Sequence, residues 1–232
     1  KSQPERLIKI STLNKDIVDF DSNILLNEED FEHSQLNSDT WVISSNKEKD
    51  LLDRLKIKFK NLQDFIDGEA FYGIKFGLTE AYLITDEKRD ELITNDTKSS
   101  IIIGSILRGR NLKRYGKPNE LDLDNIILAS FGSYKFLEND YPAIHKYLLQ
   151  FEAKLRLRGQ CNGSKQTPEK PFTGQHHWLE LDNNPSQKYL DIYKKPKIMY
   201  QKFQVKPCFI YDEQGLYCND SMWIIPTENK AL

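Results

Sequence analysis

The chain is organised around two stretches, Gly73-Ile74-Lys75-Phe76-Gly77-Leu78-Thr79-Glu80-Ala81-Tyr82-Leu83-Ile84 and Ile101-Ile102-Ile103-Gly104-Ser105-Ile106-Leu107-Arg108-Gly109-Arg110-Asn111-Leu112-Lys113-Arg114-Tyr115. In the first, strand-like runs separated by glycine-bearing turn residues predict a hairpin or a tight loop. The second begins with an apolar, β-branched run, which predicts a buried strand. We expect Gly73 and Gly77 to occupy turns. Those turns would bring Lys75 and Thr79 to the surface that carries the polar end of the second stretch.

Positive charge is concentrated at that polar end. The window from Gly104 to Lys117 contains no acidic residue and five basic ones: Arg108, Arg110, Lys113, Arg114 and Lys117. We call residues 108–117 the basic segment. Because the whole chain has a formal net charge of -2, such a local concentration of positive charge indicates an anionic partner. A solvated charged loop is the alternative that stays open.

Length and composition are typical of one main globular domain with a lead-in. Of 232 residues, 38% are hydrophobic and 29% are charged, and no apolar run approaches the roughly 20 residues that a membrane-spanning helix needs. We predict that residues 1–45 are an irregular lead-in, and that residues 46–232 form the domain. No secretory signal pattern opens the chain, so the sequence does not support secretion. Because the first residue is Lys1 instead of Met, we expect an excised fragment or a processed product.

The cysteines and histidines do not form a metal-binding pattern. Cys161, Cys208 and Cys218 follow neither a disulfide framework nor a zinc-ribbon spacing, which is typical of a protein in the reducing cytoplasm. Adjacent side chains on a strand point to opposite faces, so His176 and His177 are poorly placed to share one ion. We therefore expect a cytoplasmic protein without a metal site.

Two main helices are predicted. A capping-box spacing followed by apolar residues at helical intervals predicts the first, from about Lys47 to Phe59. Asp140 can cap the second, with Pro142 in its first turn and Gly159 at its end. The segment that follows, from Gln160 to Gly174, is predicted to be a mobile loop.

Short strands account for most of the remaining pattern. The strand-like runs are Phe71 to Ile74, Leu78 to Ile84, Ile101 to Leu107, Ile126 to Phe131, His177 to Leu181, Lys197 to Tyr200, Pro207 to Tyr211, Leu216 to Cys218 and Trp223 to Ile225. Asp212 to Gly215 has the composition of a hairpin turn. Because the strands cluster instead of alternating with helices, the predicted fold class is α+β, with mixed short-stranded sheets and two main helices.

The two opening stretches resemble the TaqI-like C-terminal specificity domain, the target-recognition module of N6-adenine DNA methyltransferases and of fused restriction-modification enzymes. Gly73 to Tyr82 is similar to that family's Gly-Ile-x-Thr-Gly-x-Asn-x-Ala-Phe stretch, and Leu107 to Tyr115 is similar to its Leu-x-Gly-x-Asp-Ile-x-Arg-Tyr segment. Further segments follow in the family's order: Tyr141-Pro142, the helix end Leu155-Arg156-Leu157-Arg158, Trp178-Leu179-Glu180-Leu181 and Lys197-Ile198-Met199-Tyr200. Three positions depart from the family: Phe76 replaces Thr, Thr79 replaces Asn, and Asn111 replaces Asp.

The resemblance implies a target-recognition-domain-like fold and sequence-specific recognition of duplex DNA, non-catalytic by itself. The DNA-binding candidates are Lys75, Thr79, Arg108, Arg110, Lys113, Arg114, Tyr115 and Lys165. Basic side chains would bind phosphates and set the register, while neighbouring side chains read base edges. The implied partners are double-stranded DNA and the methyltransferase part of the same protein. S-adenosylmethionine is implied as the cofactor of that catalytic part, and no cofactor is implied for this chain.

The chain lacks the two motifs that an adenine methyltransferase requires, a glycine-rich cofactor loop and an Asn-Pro-Pro-Tyr-like motif. Asn183-Asn184-Pro185-Ser186 lacks the second proline and the aromatic residue that would stack on a flipped base. Since Asn and Pro are turn residues, this segment is predicted to be a turn.

Two alternatives stay open. One is a protein-interaction or structural domain that does not contact DNA. The other is a metal-dependent nuclease, in which Asp140, Glu152 and Lys154 would surround Mg²⁺. A helix disfavours the nuclease, because residues two apart on a helix project about 200° from each other. Trp178 lies in an apolar run and is expected in the core instead of against a base.

Overall fold

The structure, a computed structural model, describes residues 7–11, 28–32, 46–66, 69–114, 116, 120–161 and 172–228. The chain divides into two compact units, Lys1–Asn61 and Leu62–Leu232. The described part of the first unit holds an antiparallel pair of strands, β1 (Leu7–Ser11) and β2 (Glu28–Glu32), and helix α1 (Asn46–Lys58). The prediction of α1 is confirmed. The strand pair lies in a segment whose mixed polar and apolar sequence predicted irregular structure.

The second unit is an α+β structure, as predicted. Its described helices are α2 (Leu62–Ile66), α3 (Thr79–Tyr82), α4 (Asp86–Asn95), α5 (Leu137–Asp140), α6 (Pro142–Leu149), α7 (Glu152–Arg156) and α8 (Gln187–Ile192). Its described strands are β3 (Phe71–Tyr72), β4 (Leu83–Ile84), β5 (Ile103–Leu107), β6 (Asp124–Ile127), β7 (Lys197–Gln201), β8 (Phe209–Asp212), β9 (Tyr217–Cys218) and β10 (Met222–Pro226). No helix in the described ranges is long and apolar enough to cross a membrane.

The strands of the second unit form two four-stranded sheets, in the orders β3-β10-β7-β8 and β4-β6-β5-β9. Their pairings are antiparallel except that of β5 with β9, which is parallel. Fully buried side chains connect the two sheets through a common core, with Ile106 and Ile126 on one side and Met199 and Ile224 on the other. Burial of this apolar surface is the main source of the fold's stability.

The first stretch is fixed against the turn that precedes β10. The Ile74 amide donates to the Cys218 carbonyl at 2.7 Å, and the Asp220 amide donates to the Ile74 carbonyl at 3.0 Å. A Cβ atom at Gly73 would lie 1.9 Å from the Asn219 carbonyl oxygen. Only glycine therefore allows this close approach of the two backbones.

Two predicted strands are wrong. Leu78 to Ile84 is extended only in β4, because its first half forms the helical turn α3 around the fully buried Tyr82. The Tyr82 hydroxyl lies 3.3 Å from the Trp178 carbonyl oxygen and 3.2 Å from that of Glu180. The segment from His177 to Leu181 is a turn, in which the Glu180 amide donates to the His177 carbonyl at 3.0 Å. Side chains thus satisfy backbone groups that a sheet would otherwise pair.

The predicted helix from Asp140 to Gly159 is interrupted, and the predicted hairpin at Asp212 to Gly215 is not a hairpin. Between α6 and α7 the Phe151 amide donates to the Leu148 carbonyl at 3.0 Å, which tightens the backbone into a turn. Asp140 ends α5, and Tyr141 takes the N-cap position of α6. Gly215 has the positive φ of a turn, 79°, yet β8 pairs with β7 and β9 pairs with β5. The turn therefore carries the chain from one sheet to the other.

Candidate nucleic-acid interface

The two stretches that resemble the specificity domain contribute side chains to one cleft of about 250 Å³. The cleft is lined by Phe76, Thr79 and Leu83 from the first stretch, Arg108, Gly109 and Arg110 from the second, and Asn219 and Ser221 from the turn before β10. Thr79 begins α3, and Arg108 directly follows β5. The structure thus brings together three of the predicted site residues, Thr79, Arg108 and Arg110.

A hydrogen-bond network fixes the backbone of Gly109, in the basic segment, at the cleft. Gly109 begins a short 3₁₀ helix, and its amide donates to Asn219 Oδ1 at 3.1 Å. The Ser221 hydroxyl donates to the same oxygen at 2.8 Å, and Gln201 Nε2 donates to the Gly109 carbonyl. A Cβ atom at Gly109 would lie 2.5 Å from Ser221 Oγ. Asn219, Ser221 and Gln201 were missed by the sequence analysis, because no charge or motif distinguishes them.

Arg108 is engaged inside the protein by a two-point ion pair. Its Nη2 donates to Asp124 Oδ1 at 2.8 Å, and its Nε lies 2.5 Å from Oδ2. The Arg108 and Asp124 side chains are only 23% and 26% exposed. Asp124 begins β6, opposite Ile106 of β5, so the ion pair joins the ends of two neighbouring strands. Although the sequence from Gly104 to Lys117 contains no acidic residue, Arg108 therefore has an acidic partner in Asp124.

Arg110 and Lys113 are accessible charges in the described part of the basic segment. Both side chains are exposed, and neither makes an ion pair or a hydrogen bond within the described ranges. Arg114 is also exposed but interacts within the protein. Tyr115 and Lys165 lie outside the described residues, so their assignment to the interface stays a prediction.

Lys75 does not line the cleft. Its ammonium group lies 2.9 Å from Asp182 Oδ2, and its backbone amide donates to Asn183 Oδ1 at 3.2 Å. The hydrogen bond to Asp182 and the charge of that carboxylate raise the pKa of Lys75. The cleft therefore brings Thr79 together with the basic segment, and the expectation that Lys75 lies on the same surface stays a prediction. The segment predicted to be a turn, Asn183 to Ser186, overlaps an observed turn in which the Asn184 amide donates to the Leu181 carbonyl at 2.9 Å and Asn184 has φ 44°.

Arg158 holds the wall of the cleft in place from inside. It is buried, and its guanidinium donates to four carbonyl oxygens at 2.8–3.1 Å, those of Leu155, Phe76, Trp178 and Glu180. It thereby ties α7 and the 177–181 turn to Phe76, which lines the cleft. Trp178 is only 5% exposed, which confirms its predicted place in the core.

Two of the candidate nuclease residues form ion pairs with different side chains. Glu152 and Lys154 both lie in α7, where Glu152 pairs with Arg156 at 2.7 Å and Lys154 pairs with Glu80 at 2.6 Å. No group of three or more His, Cys, Asp or Glu side chains suited to a metal ion is found among the described residues. The three cysteines are buried and have free thiols.

No family model and no curated protein matches this sequence. Among solved structures, the chain is similar to MmeI, a Type IIL restriction-modification enzyme solved in complex with DNA. The similarity has a TM-score of 0.48 and 14% sequence identity, and it covers 99% of this chain and 26% of that chain. This chain thus spans about a quarter of the length of that enzyme.

Proposed function

We propose that this chain is the DNA specificity module of an adenine-N6 methyltransferase or restriction-modification enzyme, and that it recognises duplex DNA without transferring methyl groups itself. The observation that carries the proposal is the cleft to which both resembling stretches contribute. Thr79 comes from the first stretch and Arg110 from the second, and Arg110 and Lys113 offer positive charge without an acidic partner among the described residues. A local positive potential of this kind attracts a phosphate backbone.

The side chains at the cleft suit different parts of the recognition task. The Arg110 guanidinium can bind a phosphate or pair in two-point geometry with O6 and N7 of guanine. Lys113 is a point charge suited to a phosphate. The Thr79 hydroxyl can donate or accept one hydrogen bond, so it can contact a base edge or a phosphate. Arg108 has its partner in Asp124, so we assign it to the framework that positions Arg110.

Chemistry on the target base is assigned to the methyltransferase part of the same protein. This sequence contains neither a glycine-rich cofactor loop nor an Asn-Pro-Pro-Tyr-like motif. S-adenosylmethionine would therefore bind to that other part, which would also extrude the target adenine from the helix. The role proposed for this chain is to determine which sites are presented for modification.

Selection from a random duplex library tests the proposal. The 232-residue chain should retain DNA at low salt, and repeated selection should enrich a common sequence, because base contacts add to the phosphate contacts. In a parallel assay with S-adenosylmethionine, the same preparation should methylate no DNA. DNA methylation by this chain alone, or no DNA retention at low salt, would contradict the proposal.

The alternative of a protein-interaction domain has one observation in its favour. Helix α1 exposes large apolar side chains on one face, with Leu51, Leu52 and Leu55 at 50%, 37% and 43% exposure. An uncovered apolar helix face is typical of a surface that packs against a partner protein. The duplex selection separates the two functions, since an interaction domain would enrich no DNA sequence.

A further inference from the structure

The loop between β7 and β8 combines exposed apolar side chains with positive charge. Its sequence is Lys202-Phe203-Gln204-Val205-Lys206-Pro207, and we call it the β7–β8 loop. Phe203 is 84% exposed and Val205 is fully exposed. Lys202 and Lys206 are exposed as well, and neither makes an ion pair within the described chain.

The β7–β8 loop is fixed beside the cleft at both ends. At its start, Gln201 donates to the Gly109 carbonyl, and the Lys202 amide donates to the Ser221 carbonyl at 2.8 Å. At its end, the buried Cys208 thiol lies 3.8 Å from the Leu112 carbonyl oxygen. The loop therefore extends the surface formed by the basic segment and the cleft.

Gln204 holds the β7–β8 loop in shape without covering its apolar side chains. Its amide nitrogen donates to the Gln201 carbonyl at 2.9 Å, and its amide oxygen accepts from the Cys208 backbone amide at 2.7 Å. Because this side chain satisfies the backbone across the base of the loop, Phe203 and Val205 need no packing to keep the loop closed. An ordered loop with uncovered apolar side chains is suited to insertion into a partner.

We propose that the β7–β8 loop is a DNA contact of its own, in which Phe203 packs against base faces at an opened base step while Lys202 and Lys206 bind the flanking phosphates. This inference rests on the proposed function. The charges of the loop favour DNA as the partner. Phe203 lies between two lysines that make no ion pair within the described chain, the Lys202 ammonium group lies 5.8 Å from the centre of the Phe203 ring, and the ends of the loop contact Gly109 and Leu112 of the basic segment. Such a loop matches a surface that is apolar in its stacked bases and anionic at its edges. An apolar protein surface would need carboxylates around it to match the same charges.

The test compares Phe203→Ala with Phe131→Ala in the 232-residue chain. Phe131 is 66% exposed and follows β6, whereas Arg108 contacts the opposite end of that strand. The DNA is a mixed-sequence duplex in which 2-aminopurine, whose fluorescence rises on unstacking, replaces a fraction of the adenines. Phe203→Ala should weaken binding by roughly 5- to 150-fold, the range known for loss of one base–aromatic stack. It should also abolish the fluorescence increase seen with the parent chain, and Phe131→Ala should change neither.

A second variant tests whether Lys202 and Lys206 bind phosphates. Lys202→Gln/Lys206→Gln should reduce the slope of log affinity against log salt by about 2, because each phosphate contact contributes about 0.9. If the parent binds DNA and Phe203→Ala retains both its affinity and its fluorescence increase, the loop does not contact bases and the inference is wrong while the proposed function stands. Equal losses in the Phe203 and Phe131 variants would also overturn it. Absence of DNA binding by the folded parent would overturn both proposals.

Discussion

Arg108 and Arg110 are two residues apart, and their surroundings give them different tasks. Arg108 faces the Asp124 carboxylate with Nε and Nη2, so one edge of its guanidinium is occupied and its charge is balanced within the protein. Arg110 lines the same cleft and is exposed without a protein partner in the described part of the chain. The first arginine therefore belongs to the framework and the second to the proposed contact surface.

Replacement of each arginine by glutamine should separate these tasks. Arg108→Gln should lower the free energy of unfolding by about 1–2 kcal/mol, because the partly buried Asp124 carboxylate loses its partner. Arg110→Gln should leave that free energy unchanged within about 0.5 kcal/mol, as is usual for exposed positions. Urea unfolding followed by circular dichroism measures both values. Similar losses in the two variants would contradict the assignment of Arg108 to the framework.

Gly77 is required by both its backbone angle and its surroundings. Its φ is 76°, and a Cβ atom there would lie 2.8 Å from Arg158 Cδ and from Asp182 Oδ1. Gly132 has a similar φ of 80° but nothing within 4 Å of an added Cβ. Both alanine variants should suffer the backbone strain of about 1–2 kcal/mol. Gly77→Ala should lose more, because it also displaces the Arg158 guanidinium, and equal melting temperatures of the two variants would contradict this.

His177 makes stability depend on pH. Burial disfavours its charged form and lowers its pKa to about 4, an effect that Arg156 reinforces and Glu152 opposes. The unfolded chain binds this proton near pH 6.5, whereas the folded chain does so only near pH 4. The free energy of unfolding should therefore fall as the pH drops through that interval.

His177→Asn isolates this contribution. His177 Nδ1 accepts from the Leu179 amide at 3.2 Å, and asparagine offers an acceptor of similar reach that does not titrate. Burial lowers the pKa of His176 and raises that of Glu180, and both effects are present in parent and variant alike. Between pH 7 and pH 5 the variant should lose less stability than the parent in urea unfolding. If parent and variant lose the same free energy of unfolding, His177 does not take up its proton on unfolding and this account of the pH dependence is wrong.

The helices and strands differ in how far the sequence determines them. Helix α1 and strands β7 and β10 follow periodic or continuous apolar patterns, which is why these predictions are confirmed. Helix α3 and the 177–181 turn depend on hydrogen bonds from Tyr82 and Arg158 to carbonyls far along the chain. No local pattern encodes such partners, so local β propensity predicted strands in both places.

The same distinction holds for the candidate interface. The sequence predicted that Thr79 lies close to Arg108 and Arg110, because polar loops flanked by buried strands are exposed at the ends of those strands. The ion pairs of Arg108 with Asp124 and of Lys75 with Asp182 were not predicted. Both depend on which elements become neighbours in the folded chain, and charge counted along the sequence cannot reveal that.

At the level of the complete chain, net charge cannot supply DNA affinity. The formal charge is -2, so any attraction to phosphates must come from a local surface and must be screened by salt. We propose that such a surface includes Arg110 at the cleft, Lys113 in the same basic segment, and Lys202 and Lys206 on the β7–β8 loop, all of which are exposed. Neutralising these side chains should therefore weaken DNA binding more than neutralising the same number of positive charges elsewhere.

The decisive comparison is between Arg110→Gln/Lys113→Gln and the charge-matched control Lys98→Gln/Lys135→Gln. Lys98 lies in the 3₁₀ helix directly before β5, and Lys135 lies in the 3₁₀ helix that follows β6, whereas the cleft adjoins the other ends of these two strands. All four side chains are exposed. Circular dichroism should first confirm that both variants are folded.

Binding of the parent and both variants to a mixed-sequence duplex is then measured over a series of salt concentrations. For Arg110→Gln/Lys113→Gln, the slope of log affinity against log salt should be shallower by about 2, since two phosphate contacts are lost, and binding should weaken at each salt concentration. The control should keep the slope of the parent. If the cleft variant binds with the affinity and the salt slope of the parent, the basic segment does not contact DNA and the proposed function loses the observation that carries it.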